Sequence, residues 1–131
     1  MLCACYQDGV QVEISADGKG VKKMMKALLS SDAQLEFDTP PMSISKYWDG
    51  SLRHLRVHAS SGHVFVKREG DIISFEGDKN KLAILADNLE ILPDPTKLQG
   101  PHGHRHMHVE YFPEHFVLRE ASEALIFTFI E

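Results

Sequence analysis

The chain has 131 residues, 43% hydrophobic and 25% charged, a composition that fits one domain with a modest core, residues 1–131. No apolar run approaches the roughly 18 residues of a membrane-spanning helix, and the N-terminus lacks the basic and apolar regions of a secretion signal, so a cytoplasmic protein without membrane contact is expected. The net charge of −5 is concentrated in residues 69–131, where 12 Asp and Glu outnumber 5 Lys and Arg, which argues against nucleic acid as a ligand and favours a protein partner with a basic surface.

Alternating apolar residues and turn signals predict a strand-rich first two thirds of the chain. Strands are expected at 2–6, 10–14, 34–38, 43–48, 52–58, 63–67 and 72–75. Two amphipathic helices are expected: one capped by Ser15 or Asp17 that extends to about Ser30, and one capped by Asp78 that extends to about Leu92. The cysteines Cys3 and Cys5 are expected to be buried or half-buried thiols.

Three further strand segments are expected after the second helix: a histidine-rich run, 116–118 and 124–130. Together, the elements predict an α+β fold with a single mixed, mainly antiparallel sheet and two amphipathic helices packed on one of its faces. The strand at 124–130 is apolar, and an unpaired sheet edge there would make a homodimer possible.

The two strand–helix units resemble each other. When they are aligned on Asp17 and Asp78, the apolar residues of the first helix fall on those of the second: Val21 on Leu82, Met24 on Leu85, and Leu28 on Leu89. Any strand followed by a capped amphipathic helix gives this pattern, so we infer no duplication from it.

The histidine-rich run places imidazoles and a carboxylate at every second position: His102, His104, His106, His108 and Glu110. In an extended segment these side chains share one face, and the alternate, mostly apolar residues share the other. Imidazole titrates near neutral pH and is the commonest metal ligand. The run is therefore a candidate metal site, a candidate contact surface, or a strand whose polar face lies in water.

A metal-binding protein or metal-assisted hydrolase would use His104, His106, His108 and Glu110. Side chains two apart on a strand lie roughly 6.5–7 Å from each other, so three of them need a bulge or an outside ligand to meet at one ion. A third reading is a sensory module in which protonation of the run near pH 6 alters an interface. We find no nucleophile elbow or phosphate-binding glycine loop, so an enzyme is not expected.

A second candidate contact region lies before the Asp49-Gly50 turn signal. Tyr47 and Trp48, with Arg53 just after the turn, are residue types enriched at interaction hot spots. The alternative is that these aromatic residues face the core. The candidate partner-binding residues are Tyr47, Trp48, Arg53, His104, His106, His108 and Glu110.

The C-terminal part of the chain resembles a known family. A strand and helix at 71–90, the string His-x-His-x-Glu-Tyr-Phe-Pro at 106–113, and a final strand introduced by Ser122 resemble the small α+β immunity proteins of bacterial polymorphic toxin systems, specifically immunity protein family 32. The resemblance implies a cytoplasmic protein that neutralises a cognate toxin by binding it, with no catalysis and no cofactor. The acidic second half is compatible with binding a basic toxin domain, such as a nuclease.

Overall fold

The computed structural model describes residues 1–39, 48–93 and 106–130. These ranges contain nine strands and two helices: β1 (Leu2–Gln7), β2 (Gln11–Ala16), α1 (Gly18–Leu28), β3 (Asp32–Glu36), β4 (Gly50–Leu52), β5 (His54–Ser60), β6 (Phe65–Glu69), β7 (Ile72–Asp78), α2 (Lys79–Leu89), β8 (His106–Val109) and β9 (Leu125–Phe129). The predicted strand at 43–48 lies almost wholly outside the described residues.

The prediction of a single sheet is wrong. The strands form a five-stranded sheet in the order β4-β1-β2-β9-β8 and a four-stranded sheet in the order β3-β5-β7-β6. Each helix connects a strand of one sheet to a strand of the other sheet: α1 connects β2 to β3, and α2 connects β7 to β8. An alternating strand has the same periodicity in either sheet, and the sequence pattern therefore does not record this division.

The strand pairing reveals a repeat that the sequence analysis did not infer. Each half of the chain contains a hairpin, a helix, an outer strand and an inner strand: β1-β2-α1-β3-β5 and β6-β7-α2-β8-β9. Each sheet combines the hairpin of one half with the outer and inner strands of the other half. The halves meet through the parallel pairs β2–β9 and β5–β7, and every other pair of named strands is antiparallel.

Both helices begin directly after a predicted cap residue: Asp78 caps the second helix, and of the two candidates for the first helix, Ser15 and Asp17, it is Asp17 that caps. The Asp17 carboxylate accepts a hydrogen bond from the Gly20 N–H at 2.8 Å, and the Asp78 carboxylate accepts one from the Asn80 N–H at 2.8 Å. Each cap satisfies one of the amide groups that the first turn of a helix leaves without an intrahelical partner. The Met1 ammonium group adds an ion pair to Asp17 at 2.6 Å.

One hydrophobic core joins the two sheets and the two helices. Ala4, Ile14 and Phe127 lie side by side on the inner face of the five-stranded sheet, and Val57 and Phe75 pair on that of the four-stranded sheet. The helix residues aligned above, from Val21 and Leu82 to Leu28 and Leu89, are all buried in the same core. The fold is thus a single packed unit whose halves share their interior.

The apolar strand β9 lies inside the five-stranded sheet, between β2 and β8. The argument for a homodimer through an exposed edge at this strand is therefore wrong, because both of its edges are paired. Each described helix has only 11 residues, and neither has the length and apolar character that a membrane crossing requires.

Candidate functional site

The histidine-rich run contributes the edge strand β8. His106 and His108 are exposed, whereas Met107 and Val109 are half-buried and pack against the core. The predicted alternation is confirmed for these four residues, because only one face of β8 has the core behind it. His102 and His104 lie outside the described residues.

The exposed face of β8 brings two imidazoles and a carboxylate into one row. The rings of His106 and His108 meet edge to face with centroids 5.3 Å apart, and His108 Nδ1 lies 3.9 Å from Glu110 Oε1. The side chains of His108 and Glu110 are more than half exposed, so water screens their attraction and it contributes little to stability. The row is an accessible polar surface that can donate and accept hydrogen bonds.

The metal interpretation gains no support from the described part of the chain. In residues 1–39, 48–93 and 106–130, no three His, Cys, Asp or Glu side chains are grouped so that they could hold a metal ion. His104 belongs to the predicted ligand set but lies outside these ranges.

The second candidate region lies at the opposite edge of the five-stranded sheet. Trp48 precedes β4 and is half-buried, and Arg53 follows β4 with an exposed side chain whose Nε lies 4.0 Å from Asp71 Oδ2. Tyr47 lies outside the described residues. Because three strands separate β4 from β8, the two candidate regions are about 19 Å apart at the usual strand spacing. The predicted contact set is therefore two separate surfaces.

The sequence predicts a turn at 113–115, directly after the histidine-rich strand, but sequence reasoning did not single it out as a functional region. Residues 110–118, named here the phenylalanine turn, expose Phe112 and Phe116 by 59% and 68%. The available signal was that Phe112 and Phe116 flank the segment 113–115 that is predicted to be a turn, although Phe116 falls in the strand predicted at 116–118. Large apolar side chains on turns lie away from the core, and they mark an interaction surface more often than polar turn residues do.

His115 organises this turn through its side chain. Its Nδ1 accepts hydrogen bonds from the Val117 N–H at 3.0 Å and the Leu118 N–H at 2.8 Å. A nitrogen that accepts must be unprotonated, so the turn requires the neutral imidazole with its proton on Nε2. Burial lowers the pKa of His115 below its ordinary value, and the charge of nearby His63 lowers it further.

The cysteines are buried and unpaired with each other, as predicted. Burial raises the pKa of the Cys3 thiol, and it raises that of Cys5 to about 12, with Glu13 adding to both shifts. The thiolate is the nucleophilic form, so both groups are unreactive near neutral pH. They contribute to packing and not to a chemical site.

The comparisons with known proteins point to the C-terminal part of the chain. Residues 72–130 match the family model described as Immunity protein 32, which confirms the resemblance seen in the sequence. Neither the search of curated proteins nor that of solved structures gave a match. The matched segment runs from β7 to the end of β9 and includes α2, β8 and the phenylalanine turn.

Proposed function

We infer that this chain, whose residues 72–130 match Immunity protein 32, is an immunity protein that neutralises a cognate toxin. The family match is the observation that carries this conclusion. It supports a toxin-neutralising role and implies a toxin as the partner, and a protein of this kind is not expected to be an enzyme. A cytoplasmic location is part of the proposal.

Neutralisation occurs by direct contact between the two proteins, without catalysis and without a cofactor. The charge distribution supports this mechanism, because the matched half of the chain is the acidic half. An acidic surface attracts a basic partner over several ångströms and accelerates its capture before any contact is made. A toxin domain with a basic surface is the partner that such a chain would bind fastest.

The contact surface includes the exposed face of β8, with His106, His108 and Glu110. Two observations support this choice: the side chains of all three are accessible, and they lie within the matched segment. Trp48 and Arg53 lie outside that segment and about 19 Å away at the usual strand spacing, so they form a separate surface that the first contact does not need.

The role is tested by coexpressing this chain with the toxin encoded beside its gene. The chain is expected to restore growth of cells that the toxin arrests, and to elute with a catalytically inactive form of the toxin as one complex in size-exclusion chromatography. Continued growth arrest and separate elution of the two proteins would contradict the proposed function.

The contact surface is tested with two variants of the same complex. The double variant His106→Ala/His108→Ala is expected to weaken binding by up to about 1–2 kcal/mol, because exposed polar contacts seldom contribute more. Arg53→Ala, at the opposite edge, is the matched control and is expected to bind like the wild type. Equal loss in both variants, measured by calorimetric titration, would show that β8 has no special part in the contact.

A further inference from the structure

The phenylalanine turn exposes apolar surface that the fold does not require. Val10, Leu29, Phe112 and Phe116 are the four large apolar residues that stand exposed in the described chain, and two of them lie within five residues on this turn. Phenylalanine is among the residues most often buried, because its transfer from water is favourable. Two such rings exposed on one short turn make it a candidate surface for another molecule to cover.

The backbone that carries these rings is held in one conformation. The His115 N–H donates to the Phe112 carbonyl at 2.9 Å, while the imidazole accepts from the Val117 and Leu118 N–H groups. The Phe112 ring lies 4.7 Å from the His115 ring, and Glu114 adopts a positive φ of 70° that closes the turn. A binding loop that is already ordered loses little conformational entropy when its partner arrives.

The turn is also fixed to the rest of the molecule at its far end. Val117 and Leu118 are buried, and the segment pairs with Val64 through hydrogen bonds of 2.8 Å from the Val64 N–H to Val117 O and from the Arg119 N–H to Val64 O. Lys81 on α2 donates to the Phe116 carbonyl at 2.8 Å, and its ammonium group lies 4.4 Å from the centre of the Phe116 ring. Both rings therefore have defined positions relative to α2 and to the four-stranded sheet.

The charges around the rings are mainly negative. Glu110, Glu114 and Glu120 are exposed on the turn and directly after it. Within the described part of the chain, two cations lie on or beside the turn, and both have partners: Lys81 contacts the Phe116 carbonyl and ring, and Arg119 lies 4.6 Å from the centre of the Phe65 ring. A partner that covers the rings would meet carboxylates at their border, and basic side chains complement them.

We propose that Phe112 and Phe116 are the apolar anchors that bind the cognate toxin, and that they enter an apolar pocket of the toxin bordered by lysine and arginine side chains. This inference rests on the proposed function and specifies the contact that performs it. The anchors follow the β8 surface along the chain, with Glu110 between the end of that strand and Phe112.

A second copy of this chain is the competing occupant. Its helix α1 also offers a lysine-bordered apolar surface, with Leu29 exposed by 48% beside Lys22 and Lys26. The toxin is favoured because the rings lie within the segment that matches the immunity family, whereas α1 lies outside it. The two occupants predict different effects of the same substitutions.

The test measures binding of the catalytically inactive toxin encoded beside the gene to wild-type chain, Phe112→Ala, Phe116→Ala and the double variant. Each single variant is expected to weaken the affinity by about 30-fold or more, the loss that defines a hot-spot residue, and the double variant by at least about 100-fold. Val10→Ala is the matched control, since Val10 is exposed by 59% like Phe112 but lies on the first hairpin. It is expected to bind like the wild type, and all variants are expected to melt at the wild-type temperature.

The possible outcomes separate the proposals. If the double variant binds as tightly as Val10→Ala, the anchors are overturned while the immunity role stands. If the wild-type chain does not bind the toxin at all, the proposed function and the anchors fail together. If wild-type protein is an oligomer in sedimentation velocity and the double variant is a monomer with unchanged toxin affinity, a second copy is the occupant and the toxin assignment is overturned.

The charge of the border is tested separately through association rates. Glu114→Gln/Glu120→Gln is expected to slow association with the toxin at low salt and to leave dissociation nearly unchanged, because steering acts before contact. Faster association in this variant would overturn the basic border of the toxin pocket.

Discussion

The connections that join the outer strand to the inner strand differ between the two halves of the molecule. In the first half, the connection from β3 to β5 contacts β1, near the edge of the five-stranded sheet. The Asp38 N–H donates to Leu2 O at 2.7 Å, and the Leu2 N–H donates to the Asp38 carboxylate at 2.9 Å. Strand β4 of the same connection pairs with β1. In the second half, the chain first forms the phenylalanine turn, with two rings in solvent. The elements that both halves share support the fold, whereas the two connections differ, and that of the second half exposes two phenylalanine rings.

The two helices give the same lesson. Three aligned pairs are buried in both helices, from Val21 and Leu82 to Leu28 and Leu89. The exposed lysines of α1, in contrast, fall on residues of other kinds in α2: Lys19, Lys22, Lys23 and Lys26 correspond to Asn80, Ala83, Ile84 and Asp87. Burial constrains a side chain to fit the common core, whereas the outward positions carry lysine in one helix and amide, apolar or acidic residues in the other. The repeat therefore preserves packing and leaves each half with its own surface.

The strongest test of the comparison is to separate the matched segment from the rest of the chain. Residues 72–130 as an isolated polypeptide are expected to be unfolded by circular dichroism. Strand β7 would lose its partners β5 and β6, and β9 would lose β2, so each sheet would be opened along its centre. A cooperative thermal transition of this polypeptide would show that the matched segment is an independent unit.

Equivalent core residues of the two halves are expected to have similarly large effects. Phe75→Ala is expected to lower the free energy of unfolding by about 3–5 kcal/mol and Ile14→Ala by about 2–5 kcal/mol, because each leaves a cavity in the common core. Urea unfolding followed by fluorescence and by circular dichroism should give one coincident transition for each variant. Val10→Ala, exposed on the first hairpin, is the control. Two separate transitions would contradict the single core.

The helix caps are expected to differ in their response to acid. Asp78→Ala should cost about 1 kcal/mol through loss of the cap alone. Hydrogen bonds from the Met1 ammonium group and the Gly20 N–H hold the pKa of Asp17 below its ordinary value of 3.8. The stabilisation that the ionised Asp17 carboxylate provides is fully present at pH values above its ordinary pKa of 3.8. It is lost as the pH falls below 3.8 and through the lower pKa that Asp17 has in the folded protein.

Thermal melts at pH 2–7 measure this difference. Asp17→Asn retains a capping oxygen but cannot ionise, so its melting temperature should converge with that of the wild type at the lowest pH. If the melting temperatures of Asp17→Asn and the wild type differed by the same amount at every pH from 2 to 7, the charge of Asp17 would not contribute to stability.

The smallest expected effect concerns the phenylalanine turn. The pKa of His115 is lower in the folded protein than its ordinary value of 6.5, so the unfolded chain binds more protons as pH falls through 6.5. Stability should therefore decrease in this window. His115→Asn can accept the same backbone hydrogen bonds but does not titrate, and it should reduce the pH dependence between 5 and 7. An unchanged pH profile in His115→Asn would show that His115 does not control the turn.

Several local features were predictable because they depend on neighbours in the chain. The caps at Asp17 and Asp78 and the apolar faces of both helices follow from short-range hydrogen bonds and helical periodicity. The alternation of His106, Met107 and His108 follows from strand geometry. The family resemblance in residues 72–130 was also visible as a string of residues.

The candidate site was only partly predictable, since exposure depends on what the rest of the chain covers. His106, His108 and Glu110 are exposed on the predicted face, but Trp48 and Arg53 lie at the other edge of the sheet. Phe112 and Phe116 look like core residues by composition, and only the position of the turn leaves them in solvent. His115 Nδ1 accepts hydrogen bonds from both the Val117 and the Leu118 N–H groups, and this depends on backbone angles that no sequence pattern specifies.

The sequence by itself determined both helices and most of the strands, because periodicity and capping act over a few residues. It did not predict β4, and the strand expected at 116–118 is reduced to an isolated bridge between Leu118 and Val64. Only the tertiary structure decided that there are two sheets, that the halves exchange strands, and that β9 lies inside a sheet. Those outcomes depend on pairing between residues far apart in the chain, such as Ile14 with Phe127 and Val57 with Phe75. An apolar strand fits either sheet equally well, and the choice is made by which complete arrangement buries the most apolar surface with every backbone group paired.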